Sequence, residues 1–394
     1  MKYYAALAVL LLLGASACKK GEEKNKSFTY NNGPTDSLTI NQIQILASHN
    51  SYHLLTDDTV LAFLKKLDSL GYVPSQYDPT GLDYTHLPFD EQFESYNIRG
   101  LEIDIYNDPN GGQFYYRKGL SLLGLDNKSY APELMEPGFK VLHIPDFDYN
   151  TSYYTFKQSL QAVYNWSMAH PNHLPIFINI ETKEETVSQS LPGLDLTNSI
   201  PFDADACNKM DEEIKSVFGA DLAKVITPDD IRGNYATLEE AALAKNWPKL
   251  ADARNKVVFI MQGAAESLYK SGHPSLQGRA MFVYASPGTP EAAFVIINGP
   301  VGNETQIQQR VAAGYIVRTR CDEPGDEVFT NDYTRMNAAF NSGAQILTTD
   351  YYKADFRAGT GNYTDYHVQL PNGQLARINA ISAADKVGIG SINE

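Results

Sequence analysis

The chain has 394 residues, of which 43% are hydrophobic and 20% are charged, and its formal net charge at pH 7 is −15. This length is enough for two average domains or for one large α/β barrel. The excess of acidic residues argues against binding of a nucleic acid or an anionic surface by bulk electrostatics.

The first residues have the pattern of an export signal. Lys2 precedes an apolar run from Ala5 to Leu13, which is too short to cross a bilayer as a helix. The following Gly-Ala-Ser-Ala-Cys resembles a bacterial lipobox, although Ala15 stands where Leu is more common. The resemblance implies cleavage before Cys18, lipidation of its thiol and anchoring to a membrane, on the periplasmic or cell-surface side. The alternative is ordinary secretion with a free Cys18.

Two cysteines follow Cys18 in the sequence, Cys207 and Cys321. In an oxidising compartment these two can form a disulfide, and the alternative is a pair of separate thiols in the core. The sequence has no Cys/His spacing typical of a zinc site.

Short apolar runs alternate with helical patterns along the chain. The strand candidates are 43–47, 100–106, 140–143, 175–181, 256–261, 282–285, 293–297, 315–320 and 345–350. Helical spacing of apolar residues predicts helices at 58–70, 89–96, 154–168 and 208–218. Strands that alternate with helices are typical of a parallel α/β sheet, and we predict a single (β/α)8 barrel. Because such a barrel has eight strands, we expect one of the two candidates near 281–297 to lie outside it.

The chain is thereby divided into four predicted segments. They are a signal peptide at 1–17, a lipidated Cys with a flexible tether at 18–39, a barrel at 40–360 and a C-terminal extension packed on the barrel at 361–394. The tether is predicted because the residues after Cys18 are polar, charged and without periodicity. We expect the mature protein to be a monomer with a formal net charge of −16, since the signal peptide contains one Lys.

The stretch from Gly100 to Tyr106 carries Glu102 and Asp104 at alternate positions of a predicted strand. Side chains two residues apart on a strand point to the same face. On a strand that is buried on both faces, two unpaired carboxylates would be very costly, so we expect a hard divalent cation between them. The alternative is an exposed edge strand with two solvated acids.

Polar side chains stand at the carboxyl ends of the first four strand candidates. They are His49, Asn50, Glu102, Asp104, His143 and Glu181. In a parallel barrel all carboxyl ends of the strands open on one face, where barrel enzymes keep their catalytic residues. The amide oxygen of Asn50 and the three carboxylates form an all-oxygen set that suits Ca²⁺, and Mg²⁺ less well. The two imidazoles suit general acid and base catalysis.

Six short motifs occur in a fixed order along the chain. They are S-H-N-S-Y at 48–52, G-L-E-I-D-I-Y-N-D-P at 100–109, V-L-H at 141–143, I-N-I-E at 178–181, V-R-T-R at 317–320 and S-G-A-Q-I-L-T-T-D-Y at 342–351. This ordered set resembles the phosphatidylinositol-specific phospholipase C superfamily, and most closely its bacterial Ca²⁺-dependent branch. The resemblance covers about residues 40–352.

The resemblance implies cleavage of phosphatidylinositol-like lipids to diacylglycerol and a cyclic inositol phosphate. It implies that His143 protonates the diacylglycerol leaving oxygen and later activates water, and that His49 hydrogen-bonds the phosphoryl oxygen. Ca²⁺ held by the four oxygen ligands would contact the inositol 2-hydroxyl and the phosphate. Glu181 or Glu102 would accept the proton of that hydroxyl.

Three further residues are candidates for substrate contacts: Arg320, Lys183 and Tyr351. Arg320 and Lys183 can each reach a phosphate or hydroxyl of the substrate, or pair with a nearby acid. The ring of Tyr351 can stack on a sugar, and Asp350, at the end of the last strand candidate, can support the site from behind.

The other histidines are predicted to lie outside the catalytic set. His53 is expected to be a loop residue near the barrel mouth. A structural role at the opposite barrel end is expected for His170 and His173. No role is assigned to His86, His273 and His367.

Other classes of function stay open on the sequence alone. A glycerophosphodiester phosphodiesterase uses a similar metal site, but H-R-G usually follows its first strand, where this chain has His49-Asn-Ser. A sphingomyelinase D-like enzyme is a further alternative. A lipoprotein that binds inositol phosphates or sugars on an inactive barrel is disfavoured because both His49 and His143 are present.

Overall fold

The computed structural model describes residues 33–73, 78–185, 193–323 and 325–394. Ten strands in these ranges belong to one sheet. They are β1 (Ile43–Ser48), β2 (Ile98–Tyr106), β3 (Lys140–Val141), β4 (Ile176–Thr182), β5 (Val257–Gly263), β6 (Phe282–Val283), β7 (Phe294–Ile296), β8 (Ile316–Arg320), β9 (Ile346–Thr349) and β10 (Ala376–Ile378).

Helices connect most of these strands. The α-helices of the described ranges are α1 (Asp58–Ser69), α2 (Phe89–Tyr96), α3 (Lys118–Leu122), α4 (Phe156–Ala169), α5 (Ala204–Phe218), α6 (Pro228–Arg232), α7 (Leu238–Leu243), α8 (Leu250–Ala253), α9 (Glu266–Lys270), α10 (Glu304–Ala313), α11 (Glu327–Thr330) and α12 (Thr334–Ser342). Side-chain caps fix where several of them begin. Thr155 and Gln158 form a reciprocal capping box at α4, and Asp57 accepts two backbone N–H groups at α1.

Eight of the strands form the predicted (β/α)8 barrel. They run parallel in the order β6-β5-β4-β2-β1-β9-β8-β7. A parallel bridge between Tyr284 and Phe294 joins β6 to β7, so the barrel is nearly closed. The strand predictions succeed because barrel strands are covered on both faces and therefore appear as continuous apolar runs.

The expectation that one candidate near 281–297 lies outside the barrel is wrong. Both β6 and β7 are barrel strands. Of the nine strands predicted from the sequence, the one outside the row is β3, which pairs antiparallel with the end of β2. Val141 lies opposite Ile105 in this pairing. Because β3 has two residues, its apolar pattern in the sequence does not distinguish it from a short barrel strand.

The described ends of the chain pack against the barrel. Leu38 is fully buried and Asp36 pairs with Arg254 at 2.9 Å, so residues 33–39 are not part of a flexible tether. At the other end β10 pairs antiparallel with β1, and Glu394 pairs with Arg99 at 2.6 Å. The boundary at residue 360 stays a prediction.

The predicted signal peptide, Cys18 and the tether up to residue 32 lie outside the described residues. Among the residues that are described, no helix combines the length and apolar character needed to cross a bilayer. Cys207 and Cys321 are buried, free thiols, which decides between the two alternatives that the sequence left open.

Candidate active site

Three carboxylates meet at the carboxyl ends of β2 and β4. Asp104 on β2 lies directly opposite Glu181 on β4, and Glu102 is two residues before Asp104 on the same face. One oxygen from each of the three lies within 4.8 Å of the others. All nine residues of β2 are buried, so the alternative of an exposed edge strand with solvated acids is excluded.

Asp104 is fully buried, and neither of its oxygens accepts a hydrogen bond from a described residue. Burial raises the pKa of Asp104 well above its usual range, and the neighbouring carboxylates of Glu181 and Glu102 raise it further. The Nζ atom of Lys183, 3.5 Å from Oδ2, opposes this rise. A buried carboxylate without hydrogen bonds is costly unless a cation compensates for it.

Glu102 and Glu181 are held by nitrogen donors. The side-chain amides of Asn179 and Gln262 donate to Glu102 Oε1 at 2.8 and 3.1 Å, and Arg318 pairs with Oε2. Gln262 also donates to Glu181 Oε2 at 3.0 Å. These contacts keep both carboxylates on the inner side of the barrel mouth.

Lys183 lies between the acids of the two strands. Its Nζ is 3.7 Å from Glu181 Oε1 as well as 3.5 Å from Asp104 Oδ2. Burial alone would lower the pKa of Lys183, but these two carboxylates outweigh it and raise the pKa. Of the two uses predicted for Lys183, a substrate contact and pairing with a nearby acid, the structure contains the second.

Asn50 follows β1 in the left-handed region, at φ 42°. Its side-chain nitrogen donates to the hydroxyl of Tyr84 at 3.1 Å, so the amide oxygen is the atom left for a cation. Asn is one of the few non-glycine residues that adopt this conformation readily, which is consistent with its place in the turn.

His49 is fixed between an acid and an arginine. Its Nδ1 lies 2.8 Å from Asp350 Oδ1, and its Nε2 lies 3.3 Å from Arg320 Nη1. Arg320 also pairs with Asp350 at 2.6 Å. Burial would raise the pKa of Asp350, but its contacts with His49 and Arg320 lower it below its usual range. Asp350 thus supports His49 from behind.

His143 is fixed by Asp148, a residue that the sequence analysis missed. Nδ1 of His143 lies 2.7 Å from Asp148 Oδ2, and the His143 side chain is 19% exposed. Burial lowers the pKa of His143, and the bond to Asp148 acts in the opposite direction. With Nδ1 directed at a carboxylate, Nε2 is the ring nitrogen available to a substrate.

His53 shares that carboxylate. It lies in the connection between β1 and α1, near the barrel mouth, as the sequence predicted. It is fully buried, and its Nε2 lies 2.8 and 2.9 Å from the two oxygens of Asp148. The hydroxyl of Thr56 donates to the same carboxylate at 2.5 Å. Although burial alone would raise the pKa of Asp148, His53 and His143 lower it.

Comparison with known families decides the identity of the barrel. Residues 38–380 match the family described as phosphoinositide phospholipase C, Ca²⁺-dependent. The chain belongs to this family. It is therefore a phosphodiesterase of a Ca²⁺-dependent family. The family and the enzyme class predicted from the ordered motifs are both confirmed.

Two solved structures of one bacterial protein have the same fold. The calcium-dependent phosphoinositol-specific phospholipase C from Pseudomonas sp, in its myo-inositol complex, is 17% identical with a TM-score of 0.50 and covers 87% of this chain and 96% of its own. A second crystal form of that protein covers 88% and 97% at a TM-score of 0.51 and 17% identity. The enzyme from Streptomyces antibioticus is 16% identical, with a TM-score of 0.47 and coverage of 80% and 95%. A search of curated protein sequences finds no match.

The residues of this phospholipase C fit the Ca²⁺ that its family requires. The ligand atoms are oxygens, as Ca²⁺ prefers, and no described residue donates a hydrogen bond to the buried oxygens of Asp104 in place of a cation. The three acids offer ligand atoms within 4.8 Å of one another. The prediction of a Ca²⁺ cofactor is confirmed at the level of the family.

Two further predictions change in the phospholipase structure. Tyr351 is buried, with its ring packed against Tyr84 at 6.3 Å and Tyr366 at 6.2 Å between centroids, so a packing role replaces the predicted sugar contact. His86, which was given no role, lies with its Nε2 2.7 Å from the carbonyl oxygen of His49. Burial lowers the pKa of His86 to about 3, so the ring is neutral and supports the backbone at His49.

Proposed function

We propose that this phospholipase C cleaves phosphatidylinositol-like lipids by attack of the inositol 2-hydroxyl on the phosphorus. The products would be diacylglycerol and a 1,2-cyclic inositol phosphate, part of which would then be opened by water. One observation carries the proposal: a compact carboxylate cluster stands at the same barrel mouth as two imidazoles, and each imidazole is held by its own buried acid. Attack within the substrate is favoured because the hydroxyl is already held beside the phosphorus.

The chain's own groups account for the proton transfers. As the new O–P bond forms, the 2-hydroxyl loses its proton to Glu181, which is the most exposed of the three acids. As the bond from phosphorus to the diacylglycerol oxygen breaks, protonated His143 gives the proton on Nε2 to that oxygen. Asp148 holds Nδ1 of the ring throughout and stabilises its charged form.

Charge on the phosphoryl oxygens is met by His49 and Arg320. Their nitrogen atoms lie 3.3 Å apart, and both side chains are fixed by Asp350. Fixed donors of this kind stabilise developing charge without reorganising during the reaction. Arg320 thus combines its two predicted uses, pairing with an acid and contact with the substrate, because the pair with Asp350 orients the guanidinium toward the phosphate.

Glu102, Asp104, Glu181 and the amide oxygen of Asn50 would hold the Ca²⁺. When bound, the ion supplies positive charge that offsets the phosphate and makes a contacting hydroxyl more acidic. The pairing of Glu102 with Arg318 and of Asp104 with Lys183 keeps the acids in place before the ion arrives.

We also propose that the chain is exported and anchored to a membrane through a lipid on Cys18. The support is the signal-like N-terminus and the small residues that precede this cysteine. An anchored enzyme would meet its lipid substrate at a bilayer surface.

A direct test compares phosphatidylinositol in detergent micelles with glycerophosphoinositol, each with Ca²⁺ and with a chelator. We expect Ca²⁺-dependent release of diacylglycerol by the wild type and a loss of at least about 10²-fold in His143→Ala. The matched control is His273→Ala, which removes a half-buried histidine whose Nδ1 lies 2.8 Å from the carbonyl oxygen of Gln277. Near-normal activity of His143→Ala would refute its role, and cleavage of the deacylated diester alone would make the protein a glycerophosphodiesterase.

A further inference from the structure

Lys183 directly follows β4, and its side chain extends over the carboxylate cluster. Its backbone N–H donates to the carbonyl of Ile105 at 3.0 Å, so the main chain at this position continues the pairing of β4 with β2. Lys183 and Glu181 are two residues apart and therefore share a face of the extended chain. The Lys183 side chain is 14% exposed, so it approaches the buried acids from the open side of the barrel mouth.

The ammonium of Lys183 is shared between two acids and is not closely bonded to either. Its Nζ lies 3.5 Å from Asp104 Oδ2 and 3.7 Å from Glu181 Oε1. Both distances are longer than an ordinary N–H···O hydrogen bond, so the attraction is mainly between charges. Ca²⁺ bound by Asp104 and Glu181 would need these same two carboxylates. Lys183 and the ion thus depend on the same oxygen atoms.

The other basic residue of the cluster, Arg318, is held differently. It pairs with Glu102 inside the barrel, and its side chain is 2% exposed. Its guanidinium is a rigid planar group, whereas the ammonium of a lysine is a compact charge on a flexible four-carbon stem. Of these two residues, Lys183 is therefore the one that can leave the cluster without unpacking the barrel.

The net charge of the cluster makes Ca²⁺ and Lys183 competitors. When the three acids are ionised, their three negative charges and the two positive charges of Arg318 and Lys183 leave a net charge of −1. A bound divalent cation changes this charge to +1. The ion and the Lys183 ammonium would then repel each other at short range. Movement of Lys183 away from the acids relieves this repulsion.

Lys183 is also close to the catalytic imidazole. Its positive charge lowers the pKa of His143, so the ammonium lies near enough to the ring to act on its charge. Nε2 of His143 faces the substrate, whose phosphate must lie beside it for the proton transfer proposed above. An ammonium that leaves the acids therefore has an anion nearby once the substrate is bound.

We infer that Lys183 takes the place of Ca²⁺ beside Asp104 and Glu181 in the ion-free enzyme, and moves to the substrate phosphate when the ion binds. This inference rests on the proposed function, which supplies the phosphate. It connects the two uses predicted for Lys183, because occupancy of the Ca²⁺ site decides which of them applies. The affinity for Ca²⁺ is then limited by a residue that is not a ligand of the ion.

The first test is titration calorimetry with CaCl₂ in the absence of substrate. Lys183→Met keeps most of the length of the side chain and removes its charge, so it should bind Ca²⁺ about tenfold more tightly than the wild type. In chelator it should unfold at a lower temperature than the wild type, and its unfolding temperature should rise more when Ca²⁺ is added. Lys183→Gln is a second variant without the charge and should change in the same direction.

The matched control is Lys245→Met. Lys245 is exposed and lies beside Gly314, two residues before β8 begins, at the opposite end of the barrel. This variant removes the same charge from the chain without touching the cluster. It should bind Ca²⁺ as the wild type does.

The second test repeats the titration with saturating myo-inositol 1-phosphate, a soluble phosphate ester. In the wild type this probe should raise the affinity for Ca²⁺, because it provides a partner for the displaced ammonium. In Lys183→Met the gain should be at least about threefold smaller, and the remaining gain reports direct contact between the ion and the phosphate.

Ca²⁺ binding by Lys183→Met and Lys183→Gln that is equal to or weaker than that of the wild type would overturn the inference. It would also be overturned if the probe left the Ca²⁺ affinity of the wild type unchanged, or gave the same gain in Lys183→Met. Failure of the proposed function is recognised separately, as absent hydrolysis of phosphatidylinositol in detergent micelles by the wild type. The Ca²⁺ titrations involve no hydrolysis and do not depend on that result.

Discussion

Asp148 accepts hydrogen bonds from three side chains and connects the buried His53 with the partly exposed His143 at the barrel mouth. His143 faces the substrate side, whereas His53 is enclosed and stacks on Tyr84 with 4.3 Å between ring centres. Since Thr56 supplies a further donor, the carboxylate is fully satisfied and stays ionised. His143 therefore has a fixed tautomer and an environment that favours its protonated form more than burial alone would allow.

Replacing Asp148 by Asn should move the alkaline limit of activity to lower pH. Asp148 raises the pKa of His143 against the effects of burial, Lys183 and His53, so its removal lowers that pKa. A general acid must be protonated, and activity will then be lost at a lower pH than in the wild type. The measurement is the pH profile of kcat/KM, with His143 followed by proton NMR. An unchanged alkaline limit would show that Asp148 does not set the protonation of His143.

At the scale of elements, β2 connects the packing of the barrel to its site. Gly100, Glu102 and Asp104 share one face of this strand, and the register between β1 and β2 shifts next to Ala47. A Cβ at Gly100 would lie 2.5 Å from the Cβ of Ala47, so the strands approach closely because Gly100 has no side chain. The position of both acids depends on this contact.

Gly100→Ala should lower the free energy of unfolding by about 1–3 kcal/mol, because the added methyl group overpacks the interface of β1 and β2. It should also lower activity, because β2 must shift and carries Glu102 and Asp104 with it. Denaturant unfolding of Gly100→Ala, Ala47→Gly and the double variant checks this through a mutant cycle. The double variant should regain part of the loss. Strictly additive effects would contradict the packing argument.

The elements that the sequence predicted and those that it missed differ in how far their contacts reach. The runs that became β2 and β4 bury both faces and are visible as local apolar patterns. The pairings of β3 with β2 and of β10 with β1 depend on chain folding over long distances. Strands of two or three residues carry too little pattern to show this in the sequence.

At the scale of the whole molecule, the site residues also fall into those that the sequence predicted and those that it missed. Acids and histidines at strand ends were predictable because the barrel gathers those ends on one face. Asp148 lies in a connecting loop, and its meeting with His53 joins residues 95 positions apart. Asn179 and Gln262 were missed, although each stands on a barrel strand near the predicted acids. The signal available in the sequence was that each is a polar residue within an otherwise apolar barrel strand.

The buried acids at the barrel mouth also affect the free energy of unfolding of the whole protein. Neither oxygen of the buried Asp104 accepts a hydrogen bond from a described residue, and Lys183, 3.5 Å away, offsets only part of the cost of burying this carboxylate, which binding of Ca²⁺ should lower further. This gives two opposite effects for Asp104→Asn. Without Ca²⁺ the variant should be more stable than the wild type by roughly 1–3 kcal/mol, and with Ca²⁺ it should lose the stabilisation that the wild type gains.

Thermal unfolding of the wild type and Asp104→Asn, with Ca²⁺ and with a chelator, is therefore the most direct test of the claim that these acids hold the ion. An exposed acid in α8 supplies the control, Asp252→Asn, which should behave as the wild type in both conditions. We predict a rise in Tm with Ca²⁺ for the wild type and the control, and none for Asp104→Asn, which should unfold at the highest temperature in chelator. An equal rise with Ca²⁺ in all three proteins would contradict the assignment of the Ca²⁺ site to Asp104.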